Sequence, residues 1–545
     1  MYSLLQEDFL QEIRETLGKG PWVSVYESVG SLQGIEGRHC FFSALIPNAE
    51  IEDALNHFSW DLRIGAGKPG HSVSYEDKKE KIEYWRYGDS SGVVPLVIHR
   101  HFHGLLPESF EILEEFRHFH NLYFDSKANK YVALDPDGNE EDVVLVSEKC
   151  IKIRLGYLKN FLAVKDMHLA LFFDRFAYSD RRLEELGIER LSEDIKEPLL
   201  SFHRSIVNFG HAPDNEQKSF SRVVGKKLIP GTTKEGSGFW PYAPEKQYEE
   251  FIIGTDKEGR PVQYTCDSNK LRNYFGANPK APHQLTPVFF RREVLSKYYS
   301  NPKRFSVEDG YLRCGGLWGL RMDNNHDKYV IVYLCDLGDD LSHQEQLYWK
   351  SYNVLPDGAE SDVNFKRSIL AQFTDPERAD LKFKMKFDSF SETWKKSLGW
   401  PLFKPLRHED EHFYTSLRIP IVEDASELDS QSLALAKIIV DSINEAELVR
   451  QCSAIPADAK GIAKLEIYFR EHGFADYDRH IKFLRDLFDL RNGAGHRKGD
   501  KYDRAAERFR VDELPPSKCF ETILMEASTL LDYLNDWVSK TQKAS

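Results

Sequence analysis

The spacing of apolar residues changes along this chain, and that change constrains its architecture more than any other feature. In the N-terminal part, runs such as Trp22–Tyr26, His39–Leu45, Lys81–Tyr87 and Val93–Phe102 alternate in polarity with turn signals between them, the pattern of half-buried antiparallel strands. Toward the C-terminus the repeat lengthens to the helical period. Leu435, Ile439, Ile443, Ala446 and Val449 share one predicted helix face, and Phe474, Tyr477, Ile481, Leu484 and Phe488 a second. Phe520, Leu524, Ala527, Leu531, Leu534 and Trp537 or Val538 make a third, with a shorter helix marked by Ile462, Leu465 and Phe469. These patterns predict an α+β multidomain protein: a β-rich mixed region followed by an all-α helical bundle.

A chain of 545 residues exceeds what one hydrophobic core usually supports, so several domains are expected. Residues 1–200 read as an N-terminal α+β domain, rich in strands. Within it, helices are predicted over 2–18, 107–120 and 149–164, and Asp135-Pro136-Asp137-Gly138-Asn139 predicts a hairpin turn. A second α+β unit with a helical end spans 201–400; the glycine-rich stretch Gly231–Gly238 is a loop by composition. Residues 401–427 read as a linker, with His412–Val422 as a strand, and 428–545 as the bundle.

The net charge of -14 excludes a whole-molecule electrostatic grip on nucleic acid, so any such site must be a local patch. The seven cysteines are scattered without a C-x-x-C pair, which predicts reduced thiols. Glu7, Asp8, Glu12 and Glu15 occupy the place where a signal peptide would carry basic residues, and no run approaches the roughly 18 apolar residues of a membrane span. A soluble, cytoplasmic protein without a membrane partner is expected.

Three metal- or nucleotide-like patterns fail on context. His408-Glu409-Asp410-Glu411-His412 has the H-E-x-x-H spacing, but Pro401 and Pro405 precede it and its variable positions are acidic where a zinc helix would be apolar. Gly65-Ala66-Gly67-Lys68-Pro69-Gly70 matches G-x-G-x-x-G, yet His71–Tyr75 reads as a strand where a dinucleotide fold needs a helix. His99, His101 and His103 would share a strand face, with His118 and His120 as further candidates, but strand histidines are ordinary surface residues more often than ligands. There is no phosphate-binding G-x-x-x-x-G-K-[ST] sequence. No metal and no cofactor is expected.

In Asp489-Leu490-Arg491-Asn492-Gly493-Ala494-Gly495-His496-Arg497-Lys498, pattern and chemistry agree. A helix is predicted to end close to Arg491, with Gly493 and Gly495 forming a tight turn a substrate backbone can approach. His496 suits proton transfer near neutral pH, since a free imidazole titrates at about 6.5. Arg491 carries a permanent forked charge that matches phosphate oxygens, and Asn492 can orient either group. Arg497, Lys498 and Lys501, with Arg504, Arg508 and Arg510, add a local cationic tract suited to an RNA backbone. A glycine helix cap followed by a charged loop is the bland alternative.

Arg491-Asn492-x-x-x-His496, placed after a long helix in an all-helical unit, resembles the R-x4-6-H motif of HEPN-domain ribonucleases. More loosely, the layout resembles ApeA-type antiphage proteins of that family. The resemblance covers Leu428 to Lys540 at most and does not extend to residues 1–400. It implies a HEPN-like bundle that cleaves RNA (tRNA or mRNA) without metal, leaving 2′,3′-cyclic phosphate and 5′-hydroxyl ends. By motif, His496 transfers the proton, Arg491 holds the phosphate and Asn492 supports them. An upstream acid steadies such sites, with Glu445, Glu447 and Asp486 as candidates. The family's paired domains imply a homodimer through the bundle. An endoribonuclease of abortive-infection or toxin type would then carry residues 1–400 as its regulatory region, sensing a phage protein or other trigger. The alternative from a different class is a non-catalytic dimeric module that binds RNA or protein.

Overall fold

A computed structural model describes residues 4–29, 37–56, 70–85, 92–210, 216–495 and 499–544. The chain divides into two compact units, one of Met1–Asp135 with Asn139–Glu245 and one of Lys246–Ser545 with Pro136–Gly138. Among the described residues no helix is long and apolar enough to cross a membrane.

The N-terminal unit is built on one large antiparallel sheet. Its strands run in the order Leu191–Glu197, Leu200–Asn208, Ser219–Pro230, Met167–Ser179, Gly37–Pro47, Trp22–Val29, Cys150–Arg154, Glu140–Val146, Lys130–Leu134 and Tyr123–Asp125. The centre is covered on both faces, as the strict alternation of a strand allows. Leu169, Leu171 and Phe173 point into a core with Leu158, Phe161 and Phe9, while Ala170 and Phe172 pack with Ala44, Ile46 and Leu55 on the other side. The strands Leu200–Asn208 and Ser219–Pro230 complete this sheet, so its boundary lies beyond residue 200.

Local readings shift where pairing overrides them. Residues 149–164 are helical only from Leu155 to Lys165, because Ile151 and Ile153 alternate into the core and Cys150–Arg154 pairs on both edges. Ser109–Ile112 is likewise a strand against Val97–Arg100, and helix follows only over Glu114–Phe119. The N-terminal helix is short: α-helical over Glu7–Gln11 and π-helical over Glu12–Thr16.

The second unit begins with small sheets around Phe251, Phe290, Tyr298, Leu312, Val330 and Trp349. Helices follow over Ala379–Leu398, Ala425–Ala436, Glu445–Gln451, Gly461–Glu471, Asp478–Gly495, Asp500–Phe509 and Pro516–Ala544. Their core joins Trp394, Leu435, Ile439, Phe469, Leu484, Phe520, Leu524 and Leu531. The packing starts well before residue 428. Leu402, Phe403, Leu417 and Ile419 are buried in the same core, and Lys404 N donates to Ser442 O at 2.7 Å, so 401–427 is built into the bundle. The segment expected as a strand holds instead the short helix Glu411–Thr415. A buried ion pair braces this region: Arg378 Nε lies 3.1 Å from Asp380 Oδ1, and Asp380 also accepts the Ile419 N–H at 3.0 Å.

Candidate active site

The helix Asp478–Gly495 buries Ile481, Leu484, Leu487 and Leu490, so its apolar stripe reaches the residue before Arg491. Arg491 follows at the edge of the core with 22% of its side chain exposed. Its Nη1 donates to Asp441 Oδ1 at 2.7 Å, and its guanidinium carbon sits 5.2 Å from the Phe488 ring centre. Among the described residues no other acceptor binds this guanidinium. One nitrogen of the fork is thus anchored by a carboxylate; a guanidinium carries further N–H donors beside the one so used.

Asp441 ends a π-helical turn, Lys437–Asp441, that continues directly from the helix Ala425–Ala436. A π turn carries one more residue per hydrogen-bonded ring than an α turn and re-aims the side chains after it. Lys437 Nζ lies 3.9 Å from Asp441 Oδ2, which makes a short row of alternating charge ending at Arg491. The candidate acids are engaged elsewhere: Glu445 with Lys464 at 2.5 Å, Glu447 with Arg450, and Asp486 with Arg508 at 3.1 Å. Asp441 is the acid on Arg491, and sequence reasoning missed it. The only signal was an acid closing the apolar run Ile438-Ile439-Val440.

The helix does not end near Arg491. It continues through Asn492, Gly493, Ala494 and Gly495, so the expected glycine turn is helical backbone. Asn492 is half-buried one position beyond the arginine. His496, Arg497 and Lys498 lie outside the described residues. Lys501 is exposed on the helix Asp500–Phe509 and has no ion pair among the described residues. Of the remaining cations, Arg508 is spent on Asp486 and Glu526, and Arg510 on Glu513 at 2.7 Å. Lys501 and Arg504 are the described cations of this tract without a carboxylate partner.

The histidines of the competing motifs are engaged locally. His408 is almost fully exposed and bonds Glu411, while His412 bonds the Glu409 carbonyl at 2.8 Å. His99 stacks on Phe110 and His101 reaches Glu108, whereas His120 is packed against Phe116, Tyr157 and Phe161. Burial pushes the His120 imidazole down to about 4, partly offset by its bond to the Tyr157 carbonyl. Gly65–Pro69 lies outside the described residues, and Gly70 opens a strand. Among the described residues, no three His, Cys, Asp or Glu side chains are grouped to hold a metal. Comparisons of the chain with protein families, curated proteins and solved structures found no match.

Proposed function

We propose that the helical region is a metal-independent endoribonuclease of defence or toxin type, acting in the cytoplasm, with residues 1–400 as its sensor. The observation that carries this reading is Arg491: a half-buried guanidinium, braced on one side by Asp441, five residues ahead of His496. In this reading the His496 imidazole removes the proton of a ribose 2′-hydroxyl, and the oxygen attacks the adjacent phosphorus. Arg491 stabilises the charge that builds on the phosphorane, with Asn492 orienting it; the P–O5′ bond then breaks and the 5′-oxygen leaves as a hydroxyl, taking its proton from the imidazolium of His496. Arg497, Lys498 and Lys501 supply phosphate contacts along the RNA. The bundle pairs as a homodimer, so that two such sites face a single RNA.

Expression in bacterial cells challenged with phage tests the reading. Wild type is expected to arrest growth and fragment tRNA or mRNA, whereas His496→Ala and Arg491→Ala, accumulating to the same level, are not. Equal RNA integrity and equal growth in all three would overturn it. RNA binding that survives His496→Ala, with no cleavage by wild type, would favour the non-catalytic binding module. The neutralisation of Arg508 and Arg510 by carboxylates limits how large such a binding surface can be.

A further inference from the structure

The second unit contains a cavity of about 910 Å³ that shares no residue with the Arg491 site. That volume is in the range of small-molecule pockets. One wall is a single face of the helix Ala379–Leu398, where Leu381, Lys384, Met385 and Asp388 follow at helical spacing. Val307 and Tyr414 also line the cavity, with the Tyr414 hydroxyl 3.3 Å from the Lys384 carbonyl. Phe373 also borders the cavity and is 96% exposed, two residues after Ala371, whose φ is 52°.

Lys384 is unusual among the charged groups of this cavity. Arg367 is consumed by Asp309 at 2.7 Å and by the Thr374 carbonyl. The Lys384 amine instead donates only to the Thr415 carbonyl, at 3.1 Å, and lies 5.8 Å from the centre of the Tyr414 ring; it has no carboxylate within ion-pair distance among the described residues. Beside it the Tyr414 hydroxyl donates to Asp388 Oδ1 at 2.6 Å. Amine, phenol and carboxylate thus gather beside one another in a cavity whose exposed lining is mostly apolar, with Val307, Phe373, Leu381 and Met385, although Glu308, Asp309 and Asp375 also border it. Burial lowers the amine to about 8, with Asp380, Asp388 and Glu308 opposing that shift and Arg418 adding to it. Burial also raises the carboxyl of Asp388 and the phenol of Tyr414.

We propose that this cavity binds a small carbonyl compound with an apolar body, and that Lys384 captures it as an imine. The neutral amine attacks the carbonyl carbon, the C=O π electrons move to oxygen, and the oxygen takes up a proton. The carbinolamine then loses water as the C=N bond forms, with the Tyr414–Asp388 pair relaying the protons. Amine and carbonyl give imine and water; nothing is oxidised, and water reverses the step. The site is independent of the nuclease reading and stands or falls without it.

The test uses the full chain with 2-naphthaldehyde and sodium cyanoborohydride at pH 8, followed by peptide mass spectrometry. Lys384 is expected to be alkylated about tenfold faster than exposed lysines such as Lys396 and Lys501, because far more of its amine is neutral at that pH. Asp388→Asn and Tyr414→Phe should each slow Lys384 labelling while leaving the exposed lysines unchanged. Acetaldehyde, which lacks the apolar body, should label with less selectivity. Labelling of Lys384 no faster than of exposed lysines in the folded wild type overturns the proposal, and that comparison needs no variant to fold. Equal selectivity for both aldehydes overturns the apolar specificity.

Discussion

Arg491 Nη1 lies 2.7 Å from Asp441 Oδ1, an ion pair that ties the last turns of one bundle helix to the end of a π turn fifty residues earlier in the chain. Both side chains are partly exposed, so the pair contributes little to stability, about 0–1 kcal/mol. Its consequence is positional. Asp441→Asn is expected to leave the melting temperature nearly unchanged and to lower RNA cleavage about tenfold or more, since a small misplacement of a phosphate-binding group is costly. Thermal melts and cleavage rates measured on one preparation check both halves. A large loss of stability with cleavage intact would show that Asp441 braces the fold and not the site.

Asp380 gives the opposite expectation. Burial by itself would raise its carboxyl, but Arg378 at its side, with Arg292 nearby, holds it well below the usual carboxylate range. Replacing it with Asn leaves Arg378 buried without a counter-charge, which costs about 3–5 kcal/mol. Urea denaturation of Asp380→Asn should show a midpoint shifted strongly downward. By linkage, the stabilisation from Asp380 is present above the ordinary carboxylate value of 3.8 and is lost as pH falls toward its folded value.

His480 predicts a second pH effect. Its ring is buried and stacked on Tyr533, with centroids 4.3 Å apart, and its Nε2 accepts from Arg479 Nε at 3.1 Å, which requires a neutral ring. Burial, with the Arg479 charge adding to it, lowers this imidazole from 6.5 to about 4. The unfolded chain therefore takes up the proton first as pH falls. Stability from this group is complete above about 6.5 and declines between 6.5 and 4, by at most about 1.4 kcal/mol per pH unit. His480→Phe should remove that component from a series of denaturation curves; an unchanged slope would exclude His480 as its source.

Gly225 tests the packing of the N-terminal sheet. It pairs with Phe173 on one side and Phe202 on the other. A Cβ there would meet Ser201 O at 2.2 Å and Phe202 Cα at 2.5 Å, both backbone atoms that cannot swing aside. Gly225→Ala is expected to cost about 1–3 kcal/mol by forcing the two strands apart, measured as a lowered melting temperature of the full chain.

The broad arrangement of the fold was legible because each region keeps one apolar period. Phe520, Leu524, Ala527, Leu531 and Leu534, chosen on spacing alone, are all buried; of the alternatives Trp537 and Val538, Val538 is buried and Trp537 half-buried against the core. Where the period breaks, the reading fails. Leu435, Ile439 and Ile443 are buried as expected, but Ala446 and Val449 are exposed and Leu448 is buried in their place. The π turn at Lys437–Asp441 and the break before Glu445 reset the phase of the face. The same reset sets the direction of Asp441, so the acid that meets Arg491 could not be found by local spacing. Glycine disfavours helix, so Gly493 and Gly495 point to a turn, yet helical backbone continues through both. The cavity around Lys384 was invisible for another reason: its walls come from segments far apart in sequence, and no short pattern marks them.

The most direct test of the central claim is the chemistry of the RNA ends. Purified full-length protein is incubated with single-stranded RNA in the presence of a metal chelator, beside His496→Ala and Arg491→Ala, and the fragments are analysed by mass spectrometry. The account predicts 2′,3′-cyclic phosphate and 5′-hydroxyl ends from wild type and uncut RNA from both variants. Fragments with 5′-phosphate ends, cleavage that persists in His496→Ala, or RNA that wild type binds and leaves whole would contradict it.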